Sequence, residues 1–223
     1  MRLGPIALLA ALLPAGLAGC FGPPCAFADT SAGSAPPLAV GTQWTFLAHQ
    51  GTSTSESIWR IGAVEEHRCV RAHRIDTTYS LILPGGAVSD TPTEVATVWE
   101  SLPDEAMMEF ETRGGTTTYT PPCPRLHWPL VVGASWQESC SASAPARDFH
   151  PVGTYLVGGR TNVTVPAGRF DVFVVQFHDD EDIPGQAAND SVLYIAASGC
   201  LRNVKTTDAH GSPYLELTSY TCG

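Results

Sequence analysis

Runs of alternating apolar and polar residues, broken by turn-forming residues, fill the chain from Gly41 to its end. Valine, isoleucine, threonine and aromatic residues recur at every second position, which is the pattern of strands that bury one face. Between residues 121 and 151 the alternation is weak and Pro and Ser are frequent, so we predict a long excursion there. The predicted strands are residues 43–48, 57–64, 68–83 (as one strand or two), 94–99, 107–112, 116–120, 154–157, 161–165, 170–178, 192–196, 201–206 and 214–221.

No stretch of residues 41–223 keeps a helical period, and the best candidate, residues 95–108, is broken by Pro103. Many short strands with close turns indicate an all-β fold. We therefore predict one domain over residues 41–223, built as a single curved antiparallel sheet, a half-barrel or a sandwich. A domain of this length is large enough to bury a core.

The N-terminal segment is typical of an exported protein. Arg2 precedes an apolar run over residues 6–17, which is too short to span a bilayer as a helix. The run ends in Leu17-Ala18-Gly19-Cys20, which resembles the lipobox of bacterial lipoproteins. The resemblance implies that residues 1–19 are a signal peptide and that Cys20 carries lipid on its sulfur. Residues 20–40, rich in Pro, Ala, Gly and Ser, are then a lipidated flexible tether.

A second cleavage pattern and the number of cysteines both bear on whether Cys20 is lipidated. Ala26-Phe27-Ala28 fits ordinary secretory cleavage, which would release a soluble protein starting at Asp29. Lipidation of Cys20 leaves an even number of cysteines for disulfides, whereas cleavage after Ala28 leaves an odd number. We expect three disulfides, with Cys123–Cys140 as one pair. The alternative is that some of the cysteines are buried free thiols. The disulfide candidates are Cys25, Cys69, Cys123, Cys140, Cys200 and Cys222.

The charge of the chain excludes some partners. Its formal net charge is −10, and Lys205 is the single lysine. A basic face for nucleic acid is not expected, nor is a polybasic patch for anionic lipid heads. We expect the membrane to be a partner through the lipid on Cys20, and the acidity to serve solubility.

Motifs for catalysis do not emerge from the sequence. It contains no G-x-S-x-G, phosphate-loop or dinucleotide pattern. The acidic run at residues 178–182 departs from the calcium-loop template, because Ser191 stands where its last carboxylate should be, so we interpret it as a solvated hairpin end. The seven histidines are scattered singly. We therefore predict no catalytic residue, metal or cofactor, and interpret the five tryptophans either as core or as the lining of an apolar cleft.

Three further stretches resemble a family of uncharacterised exported bacterial β-rich proteins that carry a V-P-A-G-x-F motif. They are residues 41–44 (GTQW), 165–170 (VPAGRF) and 194–202, a strand that leads to a Gly turn and Leu-Arg. The resemblance implies a curved antiparallel sheet, akin to the half-barrels of outer-membrane lipoprotein carriers, and supplies no catalytic residues. The many cysteines depart from the family. In the motif, Pro166 fixes φ at the turn and Gly168 should take a positive φ, with Phe170 pointing into the core.

Taken together, these features predict a lipid-anchored, non-enzymatic envelope protein. Phe21, where many inner-membrane lipoproteins have Asp, favours the outer membrane, facing the periplasm, by the same lipoprotein resemblance. The expected role is to bind or carry an apolar ligand in the curved sheet. The alternatives are a structural or protein-interaction lipoprotein with a filled core that binds an envelope protein, and a soluble secreted or periplasmic hydrolase whose site assembles from distant residues.

Overall fold

The computed structural model describes residues 38–51, 53–102, 105–138, 140–179 and 189–223, and its described part is all-β. Within it no helical segment has the length and apolar character of a membrane span. Cys20 and Cys25 lie outside the described residues. The strands are β1 (Gln43–Gln50), β2 (Ser53–His67), β3 (Val70–Leu81), β4 (Glu94–Ser101), β5 (Met107–Thr112), β6 (Gly115–Cys123), β7 (Ser135–Gln137), β8 (Ser141–Ser143), β9 (Asp148–Phe149), β10 (Gly153–Val165), β11 (Gly168–Asp179), β12 (Asn189–Ala196), β13 (Asn203–Asp208) and β14 (Pro213–Thr221).

All fourteen strands form one antiparallel sheet, in the order β7-β10-β11-β12-β13-β14-β1-β2-β3-β4-β5-β6-β8-β9. This confirms the predicted all-β class and the single antiparallel sheet. Most predicted strands match their observed counterparts. The two segments predicted at 154–157 and 161–165 are one strand, β10, because the register shifts between Val157 and Gly159 and pairing with β11 then continues.

The sheet is strongly curved. In a flat sheet β7 and β8 would lie twelve strand spacings apart, roughly 58 Å at about 4.8 Å each. Along the chain, however, β7 ends at Gln137 and β8 begins at Ser141. An extended chain covers at most about 14 Å over that interval. The two ends of the sheet must therefore approach each other, and the segment predicted as an excursion connects them.

The prediction of weak strand content over residues 121–151 was partly wrong. The end of β6 and the short strands β7, β8 and β9 fall within it. Strands as short as Ser141–Ser143 are held by backbone hydrogen bonds to a neighbouring strand, here β6, and do not require apolar alternation. A disulfide between Cys123 and Cys140, with a Cα–Cα distance of 5.3 Å, fastens the excursion to the end of β6.

A second disulfide joins Cys200, just after β12, to Cys222, just after β14. The Cα–Cα distance is 5.7 Å. Cys69, in the turn between β2 and β3, is also disulfide-bonded. All five cysteines of the described part therefore belong to disulfides.

The two larger apolar clusters of the described part pack on the concave side of the sheet. The first includes Trp44, Phe46, Ile61 and Ile75, together with Leu38 from the segment before β1. The second comes from the excursion and from β10 to β12, and its members are Leu126, Trp128, Leu130, Tyr155, Val157, Val175 and Ile195. Residues at every second position of each strand face inward, which places members of one cluster in rows across neighbouring strands.

The V-P-A-G-x-F segment forms the hairpin between β10 and β11. Val165 pairs with Gly168, which has a φ of +136°, a conformation that suits glycine. The backbone N–H of Ala167 donates to the Leu217 carbonyl at 3.1 Å, which links the turn to β14. Phe170 packs half-buried against the first cluster and meets Tyr220 edge-on.

Candidate ligand-binding cavity

A cavity of about 450 Å³ lies between the two apolar clusters, on the concave side of the sheet. Its volume falls in the range of roughly 300–1,000 Å³ that is usual for small-molecule sites. Strands from both halves of the sheet and the excursion contribute to the wall. The apolar lining includes Trp44, Phe46, Trp59, Ile75 and Leu215 on the side of the first cluster, and Leu126, Tyr155, Phe177, Leu193 and Ile195 on the side of the second.

The aromatic residues of the wall are held in place by their neighbours. The rings of Phe46 and Trp59 meet edge-on, with centroids 5.8 Å apart. Trp44 donates from Nε1 to the Cys200 carbonyl at 3.0 Å, which satisfies the polar atom of a buried indole. These contacts fix the orientation of both rings and of the Trp44 indole in the wall.

On the other side of the cavity, aromatic rings form a stacked series. Tyr155 lies between Phe177, at a centroid distance of 4.5 Å, and Trp136, at 5.1 Å. The Tyr155 hydroxyl donates to a Glu138 carboxylate oxygen at 2.5 Å. Burial raises the pKa of Tyr155, and Arg125 opposes this shift. The charge of Glu138, its hydrogen bond to the hydroxyl and the charge of Asp179 raise the pKa further, so the phenol is neutral.

An ion pair between Glu105 and Arg202 closes one part of the wall. Arg202 Nε donates to both Glu105 carboxylate oxygens, at 2.6 and 2.7 Å, and the guanidinium lies 5.3 Å from the centre of the Trp128 ring. Glu105 is only 6% exposed and has a φ of +53°, which is unfavourable for a residue with a Cβ. The two opposite charges compensate each other inside the protein.

Glu100 is an acid at an inward-facing position of β4. It follows Ala96 and Val98 at period two and lies opposite His73 of β3, and all three neighbours are buried. Burial, reinforced by repulsion from Glu105, raises the pKa of Glu100 to about 7, while Arg125 and Arg202 act in the opposite direction. The carboxyl group therefore exchanges its proton near neutral pH.

His73 lies within hydrogen-bonding distance of the Leu38 carbonyl, 3.3 Å from Nε2. Burial lowers the pKa of His73, against smaller opposing contributions from that contact and from Glu105. At neutral pH the interior around Glu100 therefore contains a neutral imidazole beside the compensated pair of Glu105 and Arg202.

Arg125, from the excursion, is the remaining cation of the described lining. It forms no ion pair within 4.0 Å and no hydrogen bond in the described part of the chain, and its side chain is accessible where it lines the cavity. Burial lowers the pKa of Arg125, but the fields of Tyr155, Glu100 and Glu138 outweigh it, so the net direction is upward and the guanidinium stays charged.

The residues singled out in the sequence fall in different places. Trp44, Trp59 and Cys123 line the cavity, whereas Pro166 and Gly168 belong to a hairpin away from it. The acidic run is split: His178 pairs with Asp190, and residues 180–182 lie outside the described residues. In the described ranges, no three His, Cys, Asp or Glu side chains are grouped closely enough to hold a metal ion.

Sequence reasoning missed the polar residues of the cavity. Glu100, Glu105, Arg125, Glu138 and Arg202 are spread over about half of the chain, so no local motif unites them. A usable signal existed for Glu100 alone, since it continues the inward alternation of Ala96 and Val98. The sequence contains no such signal for Arg125, because the excursion has no alternation that would show which side of the sheet this side chain faces.

Comparisons with known proteins support the fold. No family model matches the chain, and no curated protein does. A crystal structure from Bacteroides fragilis, of a protein assigned as exported with a YmcC-like fold, superposes with a TM-score of 0.53 at 10% identity, covering 83% of this chain and 98% of that one. A protein of Parabacteroides distasonis assigned as a lipoprotein gives 0.43 at 13% identity, covering 83% and 97%.

The fold and the cavity thus define an all-β protein of the YmcC-like architecture with an internal cavity. The likeness to the Bacteroides fragilis protein extends over nearly all of that chain. At this identity it establishes the shared fold alone.

Proposed function

We propose that this protein is a lipid-anchored, non-enzymatic protein of the cell envelope that binds an apolar ligand inside its curved sheet. The cavity carries the proposal. Aromatic and aliphatic side chains from both clusters line much of it, and filling it would remove apolar surface from water. A structural lipoprotein with a filled core has no need of such a space.

The location rests on the sequence and receives support from the shared fold. Leu17-Ala18-Gly19-Cys20 supplies the lipobox, and the structural neighbours include a protein assigned as exported and one assigned as a lipoprotein. Two or more acyl chains on Cys20 would anchor the protein stably. The outer membrane, facing the periplasm, is the proposed location.

We expect metabolic labelling with a fatty acid to mark the full-length protein in its bacterial host, and Cys20→Ala to abolish the label. The lipid is the only strong membrane tie that the sequence provides, so the variant should also leave the membrane fraction. Cys25→Ala serves as the control, because it removes a nearby cysteine without touching the lipobox. An unlabelled wild type that begins at Asp29 would refute the anchor.

We expect the purified protein to bind the neutral fluorescent probe N-phenylnaphthylamine saturably, at a ratio of one to one. Leu215→Trp places a larger ring on the cavity wall and should weaken this binding at least about 10-fold, since overpacking excludes the probe. Leu156→Trp, on the exposed side of β10, is the matched control and should bind as the wild type does. Equal binding by all three proteins, or no saturable binding, would contradict the cavity as the ligand site.

A further inference from the structure

We propose that the ligand is an amphiphile with a single carboxylate group, held by Arg125 at the polar part of the cavity while its chain lies against the aromatic wall. This inference rests on the proposed function and specifies the chemical class of the ligand. It follows from the one cation of the described lining that has no direct partner.

Arg125 is positioned to bind an anion. Arg202, the other arginine of the wall, already donates to both oxygens of Glu105. Arg125 forms no such contact in the described part of the chain, and its exposed side chain lines the cavity. A guanidinium in that setting is accessible and has no fixed acceptor, so a ligand carboxylate could accept two parallel hydrogen bonds from it.

Glu100 and Glu138 limit the charge of the group that can be accepted. Both acids contribute negative field at Arg125, although neither approaches within ion-pair distance. One guanidinium among these carboxyl groups can compensate one negative charge, which favours a carboxylate over a doubly charged phosphate. A protonated Glu100 could also donate a hydrogen bond to a carboxylate oxygen.

The rest of the lining fits an acyl chain. Trp44, Phe46, Trp59 and Leu215 form a continuous apolar side of the cavity, and they carry no charged group. Such a wall recognises length and apolarity but not a particular head group. Specificity for the head group must then come from the polar residues around Arg125.

The test compares stearic acid, stearyl alcohol and stearylamine as competitors of N-phenylnaphthylamine at neutral pH. The three share one chain and differ only in the head group. We expect stearic acid to displace the probe at roughly 10- to 100-fold lower concentration than the alcohol, as hydrogen bonds to a charged group imply. Stearylamine should be the weakest of the three.

Arg125→Met should remove the preference for the acid while leaving binding of the neutral probe intact, and Arg125→Lys should restore part of it. Arg160→Met is the matched control, because Arg160 pairs with Asp171 on the exposed side of the sheet. If Arg125→Met does not fold, the acid–alcohol comparison on the wild type and the lysine variant still decides the matter.

The possible failures are distinguishable. Wild type that binds the alcohol or the amine as well as the acid, or Arg125→Met that keeps the preference, would overturn the carboxylate assignment and leave the cavity function standing. Failure of the neutral probe and of all three amphiphiles to bind would overturn the proposed function, and this inference with it.

Discussion

Arg202→Met is expected to lower the free energy of unfolding by about 3–5 kcal/mol. The substitution leaves the Glu105 carboxylate at 6% exposure without the guanidinium that donates to both of its oxygens. An uncompensated buried charge of this kind costs more than the loss of a neutral hydrogen bond. Urea denaturation followed by tryptophan fluorescence measures the change, since an unaltered slope and a lower midpoint report stability alone.

Two further variants separate the buried pair from arginine removal in general. Arg160→Met breaks an exposed pair with Asp171 and should cost less than about 1 kcal/mol. Glu105→Gln combined with Arg202→Met removes both charges and should recover part of the loss, because the two positions are coupled. A loss for Arg202→Met as small as that for Arg160→Met would show that the pair contributes no more than a surface contact.

The contrast between these pairs shows what the sequence could and could not reveal. Glu105 and Arg202 are nearly one hundred positions apart, and each alone is typical of a surface residue. The strands could be predicted because alternation acts over a few neighbouring residues. Contacts between strands depend on the order of the sheet, which the alternation does not encode.

The excursion likewise depends on the order of the sheet. Its pairing with both ends of the sheet follows from the curvature, so Ser135–Gln137 and Ser141–Ser143 carry little strand signal of their own. The Cys123–Cys140 pair was accessible to prediction because a short loop joins the two cysteines. A ligand space in the curved sheet was expected from the sequence, and lining such a space was one of two interpretations of the tryptophans. Trp44 and Trp59 do line the cavity, whereas Trp99 and Trp128 are buried without lining it.

Glu100→Gln is expected to stabilise the protein at alkaline pH and to leave its stability nearly unchanged in acid. The carboxyl group has a pKa of about 7 in the folded protein and an ordinary value of 4.5. Below the lower value the group is protonated in both states, so folding costs nothing extra. Between the two values the unfolded chain releases the proton that the native state keeps, so the wild type loses stability as the pH rises through this interval, and the loss levels off above the folded value.

The size of the effect follows from the interval between the two values. At about 1.4 kcal/mol for each pH unit, the wild type should lose up to about 3 kcal/mol by about pH 8. This figure is an upper limit because Glu100 lines a cavity that can admit water. Glutamine has nearly the same shape and no charge, so the variant escapes the loss.

Urea unfolding of both proteins between about pH 4 and pH 8 makes the comparison, and the difference in the free energy of unfolding should grow with pH. His73, Glu105, Arg125 and Arg202 surround the position and are common to both proteins, so their contributions to the free energy of unfolding largely cancel in the difference. A difference that stays constant over the whole range would show that Glu100 titrates as an exposed acid. The polar part of the cavity would then be open to bulk water, which would weaken the hydrogen bonds on which selection by the nearby Arg125 depends.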